Sequence, residues 1–113
     1  MSYDIDIGGD SFNYTRNMSR LFCDHIPDRG AGSGLMALDG LSGREAAEVL
    51  GVFFDRVSDA HIRSGSGKSG DSRFRDLYEP ENGWGTVTGA IVFAGQVLAA
   101  CCRNPDEKVS CSA

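Results

Sequence analysis

Apolar and acidic residues alternate at the start of the chain, in Tyr3-Asp4-Ile5-Asp6-Ile7. A period of two with one polar face predicts a strand. Gly8-Gly9-Asp10 interrupts it, and Phe12-Asn13-Tyr14-Thr15 either resumes it or forms a second short strand. The period then changes. Met18, Leu21, Phe22 and Ile26 recur at helical spacing, which predicts a helix over 17–26 with Thr15 as its cap. Pro27 and the glycines after it end that helix.

Gly34 to Leu41 reads as a short apolar connector closing in a turn at Asp39-Gly40. Ser42-Gly43-Arg44-Glu45 matches a capping box, in which the hydroxyl and the carboxylate each accept from the other residue's backbone N–H. Ala46, Val49, Leu50, Phe53 and Val57 follow at helical spacing, so a second helix is expected from Ser42 to His61. A third is expected from Thr86 or Thr88 to about Arg103, with Val87, Ile91, Ala94, Leu98 and Cys101 or Cys102 as its buried stripe. Gly89 and Gly95 weaken it by roughly 1 kcal/mol each relative to Ala, and their lack of a Cβ admits a second backbone. Asn104-Pro105-Asp106 closes it. Val109 and Cys111 alternate with Ser110 and Ser112 as a final strand.

These elements predict an α+β fold, a small antiparallel sheet from the N- and C-terminal strands with about three helices on one face. One domain spans 1–113, with flexible Gly/Ser-rich loops near 28–34 and 63–73. A two-stranded sheet is marginal alone, and pairing with a second copy would extend it, so a homo-oligomer is expected.

Charge and cysteine content narrow the function classes. A net charge of −5 excludes a general nucleic-acid binder, which carries a basic stripe. No apolar run reaches membrane-spanning length, so no membrane partner is expected. Met1-Ser2-Tyr3-Asp4 lacks the basic and apolar regions of a signal peptide, which predicts a cytoplasmic protein. The cysteines Cys23, Cys101, Cys102 and Cys111 are then reduced thiols. They lack zinc spacing and read as small buried thiols, so neither metal nor cofactor is expected. A Cys23 nucleophile with His25 or His61 has no orienting group or oxyanion hole beside it. Gly65-Ser66-Gly67-Lys68-Ser69 resembles the end of a phosphate loop, but Ile62 stands where that loop needs its first glycine, leaving a surface loop.

Two segments carry candidate binding chemistry. Asn13, Tyr14, Thr15 and Asn17 place amides and hydroxyls at a strand-to-helix junction, where such groups either cap and turn the chain or hydrogen-bond a polar ligand. Asn82-Gly83-Trp84-Gly85 holds the only tryptophan on a predicted tight turn before the third helix. Trp84 and Tyr78 offer flat faces for stacking, or Trp84 plugs the core. The expected ligand-binding set is Asn13, Tyr14, Thr15, Asn17, Tyr78, Asn82 and Trp84, with no catalytic residue.

The segments Phe12 to Ser19 and Tyr78 to Gly85, with Gly34-Leu35, Asp39-Gly40, Ala100-Cys101 and Asn104-Pro105, resemble a family of small uncharacterised proteins of actinobacteriophages and their hosts. The resemblance covers most of the chain except its two Gly/Ser loops. It implies a phage or actinobacterial cytoplasmic origin and carries no activity. The function it suggests is that of a non-enzymatic phage accessory protein binding a host component or small polar ligand, with anti-defence sequestration of a nucleotide signal as one form. The alternative is a small virion structural or assembly protein, and the third reading is a small enzyme of unknown reaction.

Overall fold

The computed structural model describes residues 2–27, 33–63 (side chains to 60), 78–79 and 85–113. The predicted N-terminal strand is β1, Ser2–Ile7, and a separate second strand, β2, follows at Asp10–Thr15. They form an antiparallel hairpin with Ile7 opposite Asp10, turning at Gly8 with φ 58°. That left-handed backbone suits glycine. A third strand, β3 (Ser110–Ser112), pairs antiparallel with the other edge of β1. The order is β2-β1-β3, so the two ends of the chain pair as predicted and β1 lies in the middle.

Alternation sets the two faces of the sheet. Tyr3, Ile5, Ile7 and Cys111 point into the core, while Asp4, Asp6, Ser110 and Ser112 are exposed. The helices all pack on the inner face. Thr15 does cap, its Oγ1 accepting from the Asn17 N–H at 3.2 Å, but what it opens is a 3-10 turn over Arg16–Met18. The α-helix proper, α1, is Ser19–His25. The predicted face is right: Met18, Leu21, Phe22 and Ile26 are all buried. The expected connector at Gly34 to Leu41 contains a 3-10 helix over Gly34–Leu38, burying Leu35, Ala37 and Leu38.

The capping box forms as predicted. Ser42 N–H donates to Glu45 Oε1 at 3.1 Å, and Glu45 N–H donates to Ser42 Oγ at 3.2 Å. The helix it opens, α2, spans Gly43–Arg63 and buries Ala46, Val49, Leu50, Phe53 and Val57. The third helix, α3, is Val87–Arg103, capped by Thr86, whose Oγ1 accepts from the Gly89 N–H at 2.8 Å. Its deepest side is Val87, Ala90, Phe93, Ala94, Val97, Ala100 and Cys101. Ile91 and Leu98, expected in that stripe, are only half-buried, and Cys102 is exposed.

The close backbone approach expected at Gly89 and Gly95 occurs at Gly43 instead. A Cβ there would sit 2.6 Å from the Cys101 carbonyl oxygen, so the start of α2 abuts the end of α3. At Gly89 a Cβ would meet the Tyr14 hydroxyl at 2.8 Å, and at Gly95 it would meet nothing within 4 Å. Phe22 is the hub of the core. It stacks on Phe53 of α2 at 5.4 Å and meets Phe93 of α3, Tyr3 and Tyr14 edge-on. Such ring pairs add to the area each side chain buries.

Candidate functional site at the start of the third helix

The start of α3 gathers side chains from distant parts of the chain. The first N–H groups of a helix have no partner within it. Thr86 satisfies that of Gly89, and the Glu79 carboxylate accepts from the Val87 N–H at 2.8 Å. Negative charge is favoured there, since the helix dipole is positive at this end. Tyr14 reaches the same place from β2. Its hydroxyl donates to the Thr86 carbonyl at 3.1 Å, and its ring stacks on Phe93 at 5.0 Å. Burial first, then the nearby Glu79 charge, push the Tyr14 phenol up, while the Thr86 N–H, which donates to the phenol oxygen at 3.4 Å, opposes them. Gly85 enters the helix at φ 118°, with its Cα against Thr15 and Met18. A Cβ would lie 2.8 Å from Met18 Cγ and 3.0 Å from Thr15 Cγ2.

Tyr78 extends this corner onto α1. Its hydroxyl donates to Asp24 Oδ2 at 2.9 Å, and its ring meets His25 edge-on at 5.6 Å. The Arg20 guanidinium lies 5.8 Å from the ring centroid and 3.8 Å from the Asp24 carboxylate. Burial and the Asp24 carboxylate raise the Tyr78 pKa to about 12, so the phenol remains a proton donor at neutral pH. His25 is buried with Nδ1 2.8 Å from the Leu21 carbonyl. A carbonyl only accepts, so Nδ1 carries the proton.

Of the predicted binding residues, Tyr14, Thr15 and Tyr78 therefore come to this corner. Asn13 is not with them. Alternation turns it to the exposed face of the sheet, where its amide donates to Asp4 Oδ1 at 2.7 Å and Ser2 Oγ at 2.9 Å. Ser11 donates to Asp6 on the same face. Asn17 is exposed on the 3-10 turn. Asn82 and Trp84 lie outside the described residues, as does the phosphate-loop-like segment Gly65 to Ser69. Residue-level reading missed Glu79, Asp24, Arg20 and His25 as members of the corner. Thr86 it found only as a cap.

The thiols divide into two pairs. Cys101 and Cys111 are buried as expected, and burial drives their pKa values up to about 11 and about 12. Cys23 and Cys102 are exposed, contrary to the expectation of four small buried thiols. Cys23 Sγ lies 3.8 Å from Ser33 Oγ. Residues two apart on a helix diverge, so Cys23 and His25 point to different sides of α1. Among the described residues, no group of three His, Cys, Asp or Glu is placed to hold a metal ion, and no helix is long and apolar enough to cross a membrane. No protein-family model matches the chain, and no curated protein or solved structure matches it.

Proposed function

We propose that the chain is a non-enzymatic phage accessory protein that binds a host component or a small polar ligand at the start of α3. The observation that carries this reading is the Tyr78 corner. A tyrosine donor, a guanidinium, an imidazole and two carboxylates converge there from α1 and the residues preceding α3. Such a group recognises hydrogen-bonding and aromatic surfaces. The chemistry for turnover is less well provided. The phenol stays protonated, the two buried thiols are held far from thiolate, and the Glu79 carboxylate is held by the helix N–H. Sequestration of a nucleotide signal is one form of this activity, since Tyr78 and Arg20 present a ring and a cation to a base and a phosphate.

A virion structural or assembly role is the second reading, favoured by β2 and β3, each of which pairs on one side only among the described residues.

Native mass spectrometry of the protein purified from infected actinobacterial cells tests the proposal. The expected result is a mass exceeding the 12.1 kDa of the chain, or a whole multiple of it, by that of a retained host protein or small molecule. Tyr78→Ala should lose the added mass. Recovery of the protein in purified particles, with no retained molecule, would replace this reading by the assembly role.

A further inference from the structure

The outer side of α3 is uncharged along its whole length. From Val87 to Cys102 the helix holds no Asp, Glu, Lys or Arg. Its outward positions are Thr88, Val92, Gln96, Ala99 and Cys102, all exposed, with Ile91 and Gly95 half-buried beside them. Val92 is 53% exposed, the most exposed large apolar side chain among the described residues. A helix face without charge, carrying an exposed valine, is ordinarily covered.

We infer that this face is the contact surface of a homodimer, two copies packing their α3 helices antiparallel about a two-fold axis at Gly95. Charge selects a second copy as the occupant. The chain carries −5, so two copies repel most where their acidic surfaces meet, and this uncharged face is where they approach with least repulsion. The ends of the face are oppositely charged. Arg103 closes α3, its guanidinium pairing with Asp10 at 3.3 Å yet still exposed with further N–H donors, and the Glu79 carboxylate sits on the Val87 N–H at its start. An antiparallel pair centred on Gly95 sets Arg103 of one copy against Val87, and hence Glu79, of the other, twice by symmetry. It also sets Val92 against Leu98 and Thr88 against Cys102. Gly95 has no atom within 4 Å of where a Cβ would stand, so the two backbones have room to approach at the axis.

One helix face is small beside the roughly 800 Å² per partner of a standard stable interface. The dimer is therefore reversible and dissociates on dilution. It needs no ligand at the Tyr78 corner, although Glu79 belongs to both.

Sedimentation equilibrium of the full chain, from about 1 µM to about 1 mM, reads the equilibrium directly. The expected mass rises from 12.1 kDa towards twice that value. Val92→Asp should weaken the dimer at least tenfold with helix content unchanged. In a Cys23→Ser, Cys102→Ser background, Gly95→Cys treated with copper–phenanthroline should give a disulfide-linked dimer, and Asp55→Cys on α2 should not. A monomer throughout the range would overturn the proposal. So would a dimer that survives Val92→Asp and gives no Gly95→Cys cross-link, which would move the contact to the sheet edges. A chain that dimerises but retains no molecule in mass spectrometry would keep this inference and remove the binding function.

Discussion

The helices α2 and α3 lie side by side over the same aromatic hub, yet they meet water differently. On α2, Arg44, Glu45, Glu48, Asp55, Arg56 and Asp59 cover the exposed side, and Val52, 38% exposed, is the one large apolar side chain among them. On α3 the exposed side is Thr88, Val92, Gln96, Ala99 and Cys102, with Arg103 only at its end. The contrast separates scaffold from working surface. α2 surrounds its one exposed valine with charge. α3 carries more apolar surface than the fold buries, and its start collects the side chains of the candidate site.

Breaking the shared hub should affect both helices alike and most severely. Phe22 is fully buried and touches rings from each. Phe22→Ala is expected to cost about 3–5 kcal/mol, measured by chemical denaturation. Alkali should act next, through the buried thiols. Their folded pKa values, about 11 for Cys101 and about 12 for Cys111, lie above the ordinary 9.0, so the unfolded chain loses its protons first. Their contribution is intact below pH 9 and falls as pH rises to 11 and 12, visible as a declining denaturation midpoint. Gly43→Ala should then cost about 1–3 kcal/mol, because the methyl collides with the Cys101 carbonyl where the two helices join.

The caps sharpen the comparison. Ser42→Ala and Thr86→Ala should each destabilise by roughly 1 kcal/mol. Only Thr86→Ala should also weaken ligand retention, since the Thr86 backbone and hydroxyl sit at the Tyr14 corner while Ser42 faces the other end of the molecule. Smallest is Gly95→Ala. Open space around its Cβ predicts a more stable monomer, by up to about 1 kcal/mol in a dilute thermal melt, together with a weaker dimer. Gly89→Ala should lack that gain because its methyl meets the Tyr14 hydroxyl.

The legible parts of the fold were those written in local pattern. The strand at Tyr3 to Ile7, the Ser42/Glu45 box and the Thr86 cap need only neighbours in sequence. The stripe of α3 was misplaced for a physical reason. Periodicity locates a buried face by contrast, and a helix whose polar side chains before Arg103 are Thr88 and Gln96 offers little, so Ala90, Phe93 and Val97 are not told from Ile91 and Leu98. The site was legible in part. Separation of Asn13 from Tyr14 follows from strand alternation, but grouping by sequence proximity obscured it. The Tyr78–Asp24 bond joins residues 54 apart, and Tyr14–Thr86 residues 72 apart, and no local pattern encodes either.

The claim that α3 is the working helix and α2 the scaffold is tested most directly by backbone amide NMR spectra of the full chain over a dilution series, from about 1 mM to about 10 µM. The account predicts shifts confined to Glu79 and to Thr88, Val92, Gly95, Gln96, Leu98, Ala99, Cys102 and Arg103 of α3, with Glu48, Val52 and Asp55 of α2 unmoved. Concentration-dependent shifts on α2 or along β2, or none anywhere, would contradict it.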